Sequence, residues 1–288
     1  MTAPAETFPS VSAIQQERLD YRRRQRRRSS TLAGTSTVVF LAVAGTVIVL
    51  SPGWPRVRES FGNREIASDS FLPILDGLWL NVRVLAVCAV AVVVLGLAVA
   101  AIRTLQGPVF LPLRVMATVY TDVFRGLPLI IVLYVVGLGL PGLRLQGVPT
   151  NPAVLGSVAI ILTYAAYVAE VFRAGIESVH PSQRMAARSL GLSYRQTMRR
   201  VVLPQAVRRV APPLLNDFVA MQKDVGLISV LGAVDAVRAA QIESAETFNF
   251  TPYLVAGLLF ILLAVPTVRI ADWVSARAAR RQQSSGVA

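Results

Sequence analysis

Five long runs of the chain contain no charged residue, and this feature limits the possible folds more than any other. Each run has 18 to 27 residues, which is enough for an α-helix to cross about 30 Å of hydrocarbon at about 1.5 Å per residue. The runs are Ser29–Pro55, Val84–Ile102, Gly126–Leu143, Leu145–Ala169 and Thr247–Val268. A soluble protein can bury one such helix in its core, but five in one chain predict an integral membrane protein.

A sixth segment, Val210–Val234, is also long enough to span a membrane but contains Asp217, Lys223 and Asp224. An ionised side chain that faces hydrocarbon costs at least about 2.5 kcal/mol. We therefore expect this span to face protein or water rather than lipid. The predicted fold class is an all-α integral membrane protein with six transmembrane helices.

The distribution of the 29 basic residues predicts the orientation of these spans. Residues 1–28, 103–125, 170–210 and 269–288 hold 22 of them, whereas the alternate segments hold six. Loops rich in Lys and Arg remain on the cytoplasmic side, so both termini are predicted to be cytoplasmic. The stretch Arg22–Arg28 could indicate nucleic-acid binding, but it lies directly before a span. There such charge sets orientation and contacts anionic lipid, so we expect the bilayer and no nucleic acid as its partner.

Residues suited to catalysis or metal binding are scarce. The chain has one cysteine, Cys88, and one histidine, His180, so it offers no internal disulfide and no cluster of soft metal ligands. A Walker loop requires a lysine followed by Ser or Thr, whereas the single lysine, Lys223, precedes Asp224. We therefore predict no catalytic residue and no metal site on this chain. His180 precedes a proline and is expected to serve only a turn.

The segment from Glu170 to Val210 is the most patterned loop of the predicted cytoplasmic side. Pro181 and Ser182 open a helix-competent stretch, and Gly191 can close it in a left-handed conformation. Two short helices held outside the membrane favour a contact surface for a partner protein. The alternative is a loop that folds back onto its own helix bundle.

A second short helix is predicted directly after the first. Ser193 and Gln196 have the spacing of a capping box, and Pro204 is expected to stop the helix. One face of it carries an apolar stripe formed by Tyr194, Met198 and Val201.

Several motifs in one register resemble those of a known family, the permease subunits of polar amino-acid ABC importers of the histidine, arginine, glutamine and glutamate types. The loop resembles the EAA loop of ABC importer membrane subunits, with Ala186-Ala187-Arg188-Ser189-Leu190-Gly191 and Leu203-Pro204-Gln205. The other motifs are Gly77-Leu78-Trp79, Phe124-Arg125-Gly126-Leu127-Pro128, Ala169-Glu170-Val171-Phe172-Arg173-Ala174-Gly175-Ile176, Pro212-Pro213-Leu214-Leu215-Asn216 and Lys223-Asp224. The resemblance covers about 200 residues, from Leu72 to Trp273. Two positions depart from the family pattern: Met185 replaces the usual acid, and Leu127 replaces a threonine.

The resemblance implies a five-helix type I ABC importer core plus one accessory helix, in the bacterial cytoplasmic membrane. The implied domains are a basic tail (1–30), an accessory anchor (31–50), an external loop (51–71), the permease domain (72–275, with its coupling loop at 170–210) and a C-terminal tail (276–288). The implied partners are an ATPase dimer, an external solute-binding protein and a second permease chain. ATP and Mg²⁺ would bind the ATPase, and this chain would carry no cofactor. The implied contacts with the ATPase are Ser182, Met185, Ala186, Ala187, Gly191, Tyr194 and Met198.

The charged span supplies the candidate translocation path. Helical spacing places Asn216 and Lys223 on one face and Asp217, Met221 and Asp224 on the adjacent face. An amino acid needs groups of both charges for its recognition, and this span offers them in an apolar bundle. The alternative is that Lys223 pairs with Asp224, or with a carboxylate of a second permease chain, and stabilises the dimer.

A second charged set lies at the start of the cytoplasmic loop. Glu170, Arg173 and Glu177 recur at helical spacing, and we expect them to form a solvated helix face rather than a binding site.

Two other function classes compete with the permease. A secondary transporter would explain charges within the membrane, but it predicts inverted repeats and gives no reason for a doubly capped cytoplasmic loop. A membrane enzyme would need convergent acid, base or metal-binding groups, which this chain lacks.

Overall fold

The computed structural model describes residues 13–105 and 107–285, which are almost entirely helical and contain no β-strand. The helices are α1 (Ala13–Val49), α2 (Trp54–Phe61), α3 (Arg64–Arg103), α4 (Leu111–Gly126), α5 (Leu129–Tyr134), α6 (Leu140–Gly142), α7 (Pro152–Glu177), α8 (Pro181–Ser189), α9 (Tyr194–Thr197), α10 (Leu203–Asp224), α11 (Ala236–Thr247) and α12 (Thr251–Ser285). The chain divides into two compact units, Met1–Glu59 and Ser60–Ala288. This architecture confirms the predicted all-α fold class.

The first unit is dominated by α1, whose residues Arg28–Val49 are apolar enough to cross a membrane. The helix ends six residues before the charge-free run does, because Pro52 and Pro55 cannot continue it. It also begins at Ala13, well inside the tail predicted for residues 1–30. Helix-favouring Gln, Glu, Leu and Arg residues and the lack of glycine before Gly34 account for this extension.

The second unit is built around the crossing of α3 and α7. A Cβ atom at Gly96 of α3 would lie only 2.7 Å from Val168 Cγ1 of α7, so the glycine permits this close approach. The adjoining core contains Cys88 and Ile160, both fully buried. Asn151 caps α7, since its side chain accepts hydrogen bonds from two backbone amides of the first turn. The helix then runs to Glu177, so Glu170 lies inside α7 and not at the start of a loop as predicted.

The run Gly126–Leu143 was predicted to be one span, but it begins with a bend, so its helical part, Leu129–Gly142, is shorter than the run. Helix α4 ends at Gly126, and Leu127 is extended with φ −90° and ψ 134°. Pro128 disfavours a helical conformation at the residue before it, which explains the break. The helical segments Pro108–Gly126 and Leu129–Gly142 therefore meet at an angle of 108°.

The prediction that Pro204 ends a helix is also wrong. Residues from Tyr194 to Asp224 are continuously helical, with a π-helical turn at Met198–Val202 directly before Pro204. This wide turn accommodates the proline ring. The Gln205 side chain, directly after the proline, donates a hydrogen bond to Val201 O at 3.0 Å.

Beyond α10 the chain continues as a 3₁₀ segment, Val225–Leu231, and turns at Gly232, which has φ +90°. Helix α11 follows at an angle of 51° to the preceding helical segment, and α12 returns through the bundle. Within the described residues, four helices are long and apolar enough to cross a membrane, or up to six spans if each bent pair counts as one.

Candidate functional site

The first helix of the loop, α8, has well-defined ends. The Nδ1 atom of His180 accepts a hydrogen bond from the Ser182 amide, so the histidine serves the turn as predicted. At the other end Gly191 has φ +80°. Its amide donates to Arg188 O at 2.9 Å, and the Leu192 amide donates to Ala187 O at 3.2 Å. These two bonds form a Schellman motif, which explains why a glycine stands at this position.

The second short helix, α9, begins with the predicted capping box. The Ser193 amide donates to Gln196 Oε1 at 2.9 Å, and the Gln196 amide donates to Ser193 Oγ at 3.3 Å. The Schellman motif closes α8 at Gly191, and the capping box opens α9 at Ser193. Only Leu192 lies between them, so the chain has little conformational freedom between the two helices. The loop is therefore a defined structure and not a passive connection.

The loop presents apolar side chains to its surroundings. Met185 is 62% exposed, Leu190 83% and Tyr194 50%, and Ser182, Ala186 and Gly191 are exposed as well. Exposed apolar side chains that are grouped together are typical of protein contact surfaces.

Other residues of the loop pack against the chain itself. Ala187 is only 5% exposed, and Thr197 and Val202 are buried. The predicted stripe is thus divided, because Tyr194 is exposed whereas Met198 and Val201 are half-buried. The small size of Ala187 allows it to pack within this chain.

One polar residue of α10, Asp217, lines a small apolar cavity of about 60 Å³. Tyr164, Asp217 and Met221 are among its lining residues, together with Val92 and Val168. The Oδ2 atom of Asp217 is buried and has no hydrogen-bond partner among the described residues. A buried carboxylate oxygen without a donor carries a large desolvation cost, so it is suited to receive a donor from a ligand.

Asp224 and Lys223 are not paired with each other. The Tyr164 hydroxyl donates to Asp224 Oδ2 at 2.7 Å, whereas Lys223 is exposed and forms no ion pair in the described part of the chain. Asn216 is exposed too. The prediction that Lys223 could pair with Asp224 is therefore wrong for this chain, because α7 supplies the partner of Asp224 instead. Tyr164 was not predicted as a site residue. The only indication of it in the sequence is a hydroxyl-bearing side chain within an otherwise apolar span.

Glu170 lies in an ion-pair cluster and not on a solvated helix face, which corrects the prediction for this residue. Its carboxylate is 2.8 Å from Arg103 Nη1 of α3 and 2.5 Å from Arg173 Nη2. Arg125 of α4 approaches to 3.8 Å. The ends of α3 and α4 bring these arginines to α7, which no local spacing could indicate. Arg173 also pairs with Glu177, whose side chain is 58% exposed.

A second buried polar contact fixes the turn after α10. Asn81 and Asp235 are both fully buried. Asn81 Nδ2 donates to Asp235 Oδ2 at 2.9 Å and to Val225 O at 3.2 Å. Asn81 Oδ1 accepts from the Ala236 amide at 3.1 Å. Helix α3 thereby holds the start of α11 in place.

The chain that carries this capped loop and polar helix also matches a known family. The family model described as "Binding-protein-dependent transport system inner membrane component" matches residues 93–280. The chain belongs to this family. The predicted identification as an ABC importer permease is confirmed, and the family is one of multi-pass inner-membrane proteins that work with ATPase and binding-protein partners. The secondary-transporter alternative fits these comparisons less well.

Individual relatives in the comparisons are also described as transport-system permeases. The "Probable glutamine ABC transporter permease protein GlnM" of Bacillus subtilis is 35% identical over 71% of this chain and 92% of its own length. The "Arginine transport system permease protein ArtQ" of the same organism is 34% identical over 67% of this chain and 86% of its length.

A solved structure described as the crystal structure of an amino acid ABC transporter with histidines has a TM-score of 0.65 and 30% identity. It covers 71% of this chain and 94% of its own. The inward-facing MetNI methionine ABC transporter has a TM-score of 0.59 at 18% identity, over 71% of this chain and 95% of its own, and it supports the fold alone.

Proposed function

We propose that this chain forms the translocation path for a polar amino acid that an external solute-binding protein delivers. The relatives named above, permeases for glutamine and arginine, support this substrate class. ATP would be hydrolysed by a separate ATPase dimer, which would bind ATP and Mg²⁺, and this chain would carry no cofactor of its own. Two permease chains, identical or not, would line one path.

The observation that carries this proposal is the capped two-helix loop with its exposed apolar side chains. A Schellman motif closes α8 and a capping box opens α9 two residues later, so α8 and α9 can be displaced as one body. Met185, Leu190 and Tyr194 are the side chains available to a cleft on the ATPase. Closure of the ATPase dimer would move this loop, and the loop would move the spans.

Met185 also bears on the contact with the ATPase. An apolar thioether in place of the usual acid removes any charged contact at this point. Packing in the cleft would then depend on apolar area, which Met185 supplies with its exposed side chain.

Recognition of the substrate would use the polar face of α10. Asp217 offers an unpartnered carboxylate oxygen beside the cavity, which suits the ammonium group of an amino acid. Lys223 offers an exposed cation for its carboxylate. Asn216 and Asp224 would add polar contacts, and Met221 an apolar wall.

The orientation is proposed with both termini and the loop in the cytoplasm, on the 22-to-six division of the basic residues. Residues 1–12 and 286–288 lie outside the described part of the chain.

The proposal is tested by reconstituting the permease with its ATPase in vesicles that contain ATP. We expect uptake of labelled glutamine, arginine or histidine only when the loaded binding protein is added outside and ATP is present inside. Uptake driven by an ion gradient, with no ATPase present, would contradict it.

A further inference from the structure

Contacts made by charged side chains converge on the last turns of α7 and join that helix to four others. We call residues 170–178 the α7 junction. Each contact comes from a different helix: Arg103 of α3, Arg125 of α4, Arg184 of α8 and Arg209 of α10.

Glu170 is the centre of the junction. Its carboxylate binds Arg103 and Arg173 directly, and its side chain is only 21% exposed. The Arg103 side chain is 12% exposed. Such charge-assisted pairs are strong when they are shielded from water, and removal of one partner leaves the other charge poorly solvated.

The other two arginines bind backbone atoms. A guanidinium nitrogen of Arg184 donates to Ile176 O, and one of Arg209 donates to Ser178 O. The last carbonyls of a helix lack intrahelical partners and lie at the negative end of its dipole, so they attract cations. These bonds tie α8 and α10 to the end of α7 itself, independently of any side chain on that helix.

Close packing reinforces these contacts. Gly175 of α7 lies directly against Val210 of α10, and its backbone leaves no room for a Cβ atom. The end of α7 therefore has little freedom to move relative to α8 or α10.

We propose that the α7 junction moves with α8 as one rigid body and transmits its displacement to the ends of α3 and α4, with Glu170 as the positioning residue. This inference rests on the proposed function, in which α8 docks on the ATPase. A loosened junction would leave docking and ATP hydrolysis intact, while the spans would no longer follow the loop. The expected defect is thus a change in coupling and not in assembly.

The experiment measures uptake and ATP hydrolysis together in the reconstituted complex of permease, ATPase and loaded binding protein. The variants are Glu170→Gln, Arg103→Gln and Arg184→Gln. Arg208→Gln is the matched control, because Arg208 neighbours Arg209 on α10, is exposed and forms no hydrogen bond or ion pair within the described residues. Arg103→Lys keeps the positive charge near Glu170 and serves as the conservative replacement.

We expect each variant to bind the ATPase in normal amount but to move about tenfold less solute per ATP hydrolysed, in line with the loss of a charge-assisted bond. Arg103→Lys should recover a large part of this ratio, and Arg208→Gln should equal the unaltered protein. The proposal is overturned if the variants retain the normal ratio. It is also overturned if they lose the ATPase or the folded permease, since the cluster would then be structural only. If the unaltered complex shows no ATP-driven uptake, the proposed function itself has failed.

Discussion

The Tyr164 hydroxyl of α7 donates a hydrogen bond of 2.7 Å to Asp224 Oδ2 at the end of α10. Tyr164 also lines the cavity beside Asp217, so the bond fixes both a wall of the cavity and the carboxylate of Asp224. Tyr164→Phe removes the donor and retains the ring. We expect uptake to fall about tenfold while the permease assembles normally, because a hydrogen bond to a charged group is lost.

Tyr253→Phe on α12 is the control for this change, since the Tyr253 hydroxyl forms no hydrogen bond with any described residue. It should alter uptake by no more than about twofold. Equal uptake in both variants would show that the Tyr164 bond has no role in transport.

Asp217 provides a second test of the path. Asp217→Asn keeps the shape of the side chain but removes the negative charge beside the cavity. We expect transport to fall by about tenfold or more, because an ammonium group would lose its ionic partner. Asp272→Asn, on the exposed surface of α12, makes the same chemical change away from the cavity. Unchanged uptake by the Asp217→Asn variant would remove this residue from the path.

Lys223→Ala distinguishes the path from the dimer interface. Lys223 is exposed in the single chain, and Asp224 already has Tyr164 as its partner. We expect normal assembly of the complex and reduced or altered substrate uptake, which a competition assay among labelled amino acids would measure. Dissociation of the complex would instead indicate a carboxylate partner on a second permease chain, with a cost of about 3–5 kcal/mol for the stranded charge.

Local features of the site could be predicted from the sequence because they depend on neighbouring residues only. The helix end at Gly191 and the capping box of Ser193 and Gln196 are each formed by residues within about one helical turn. Both motifs can be recognised from residue type, because glycine favours the left-handed conformation at a helix end and serine favours the first position of a capping box.

Contacts between distant segments could not be predicted in this way. The Tyr164–Asp224 bond and the Glu170–Arg103 pair depend on how α3, α7 and α10 pack against one another. The spacing of apolar residues in a single sequence does not show which helices come together. Two prolines have opposite effects on their helices, and the sequence did not distinguish them. Pro128 marks a sharp bend, whereas Pro204 continues a helix because the π turn before it was not visible in the pattern.

The proposed orientation can be tested by cysteine labelling. Ser193→Cys in the loop should resist a membrane-impermeant thiol reagent in intact cells, and Ser68→Cys near the start of α3 should react. Both positions are exposed, and native Cys88 is buried, so the unaltered chain serves as the blank. Ser60 is less suitable as an external probe because it is half-buried. Reaction of Ser193→Cys from outside would reverse the orientation. The positions Ser10 and Ser284 would extend this test; Ser10 lies outside the described residues.

A glycine replacement tests the geometry of the loop. Gly191 has φ +80° and open space where a Cβ atom would lie, so Gly191→Leu adds about 1–2 kcal/mol of backbone strain without a clash at Cβ. We expect normal amounts of permease in the membrane but weak binding of the ATPase. Co-purification of the two subunits measures this, and undiminished recovery of the ATPase would contradict the proposed role of the turn.

The most direct test of the coupling loop is ATP hydrolysis by the reconstituted complex, with and without loaded binding protein, in the Leu190→Asp variant. Leu190 is 83% exposed, so the change should leave the permease folded while it places a charge in the apolar contact with the ATPase. Leu145→Asp is the control, because Leu145 is exposed too but lies between α6 and α7, outside the loop. We predict that Leu190→Asp abolishes both uptake and the stimulation of hydrolysis by the binding protein, whereas Leu145→Asp retains both. Full stimulated hydrolysis and full uptake in the Leu190→Asp variant would show that this loop does not couple the permease to the ATPase.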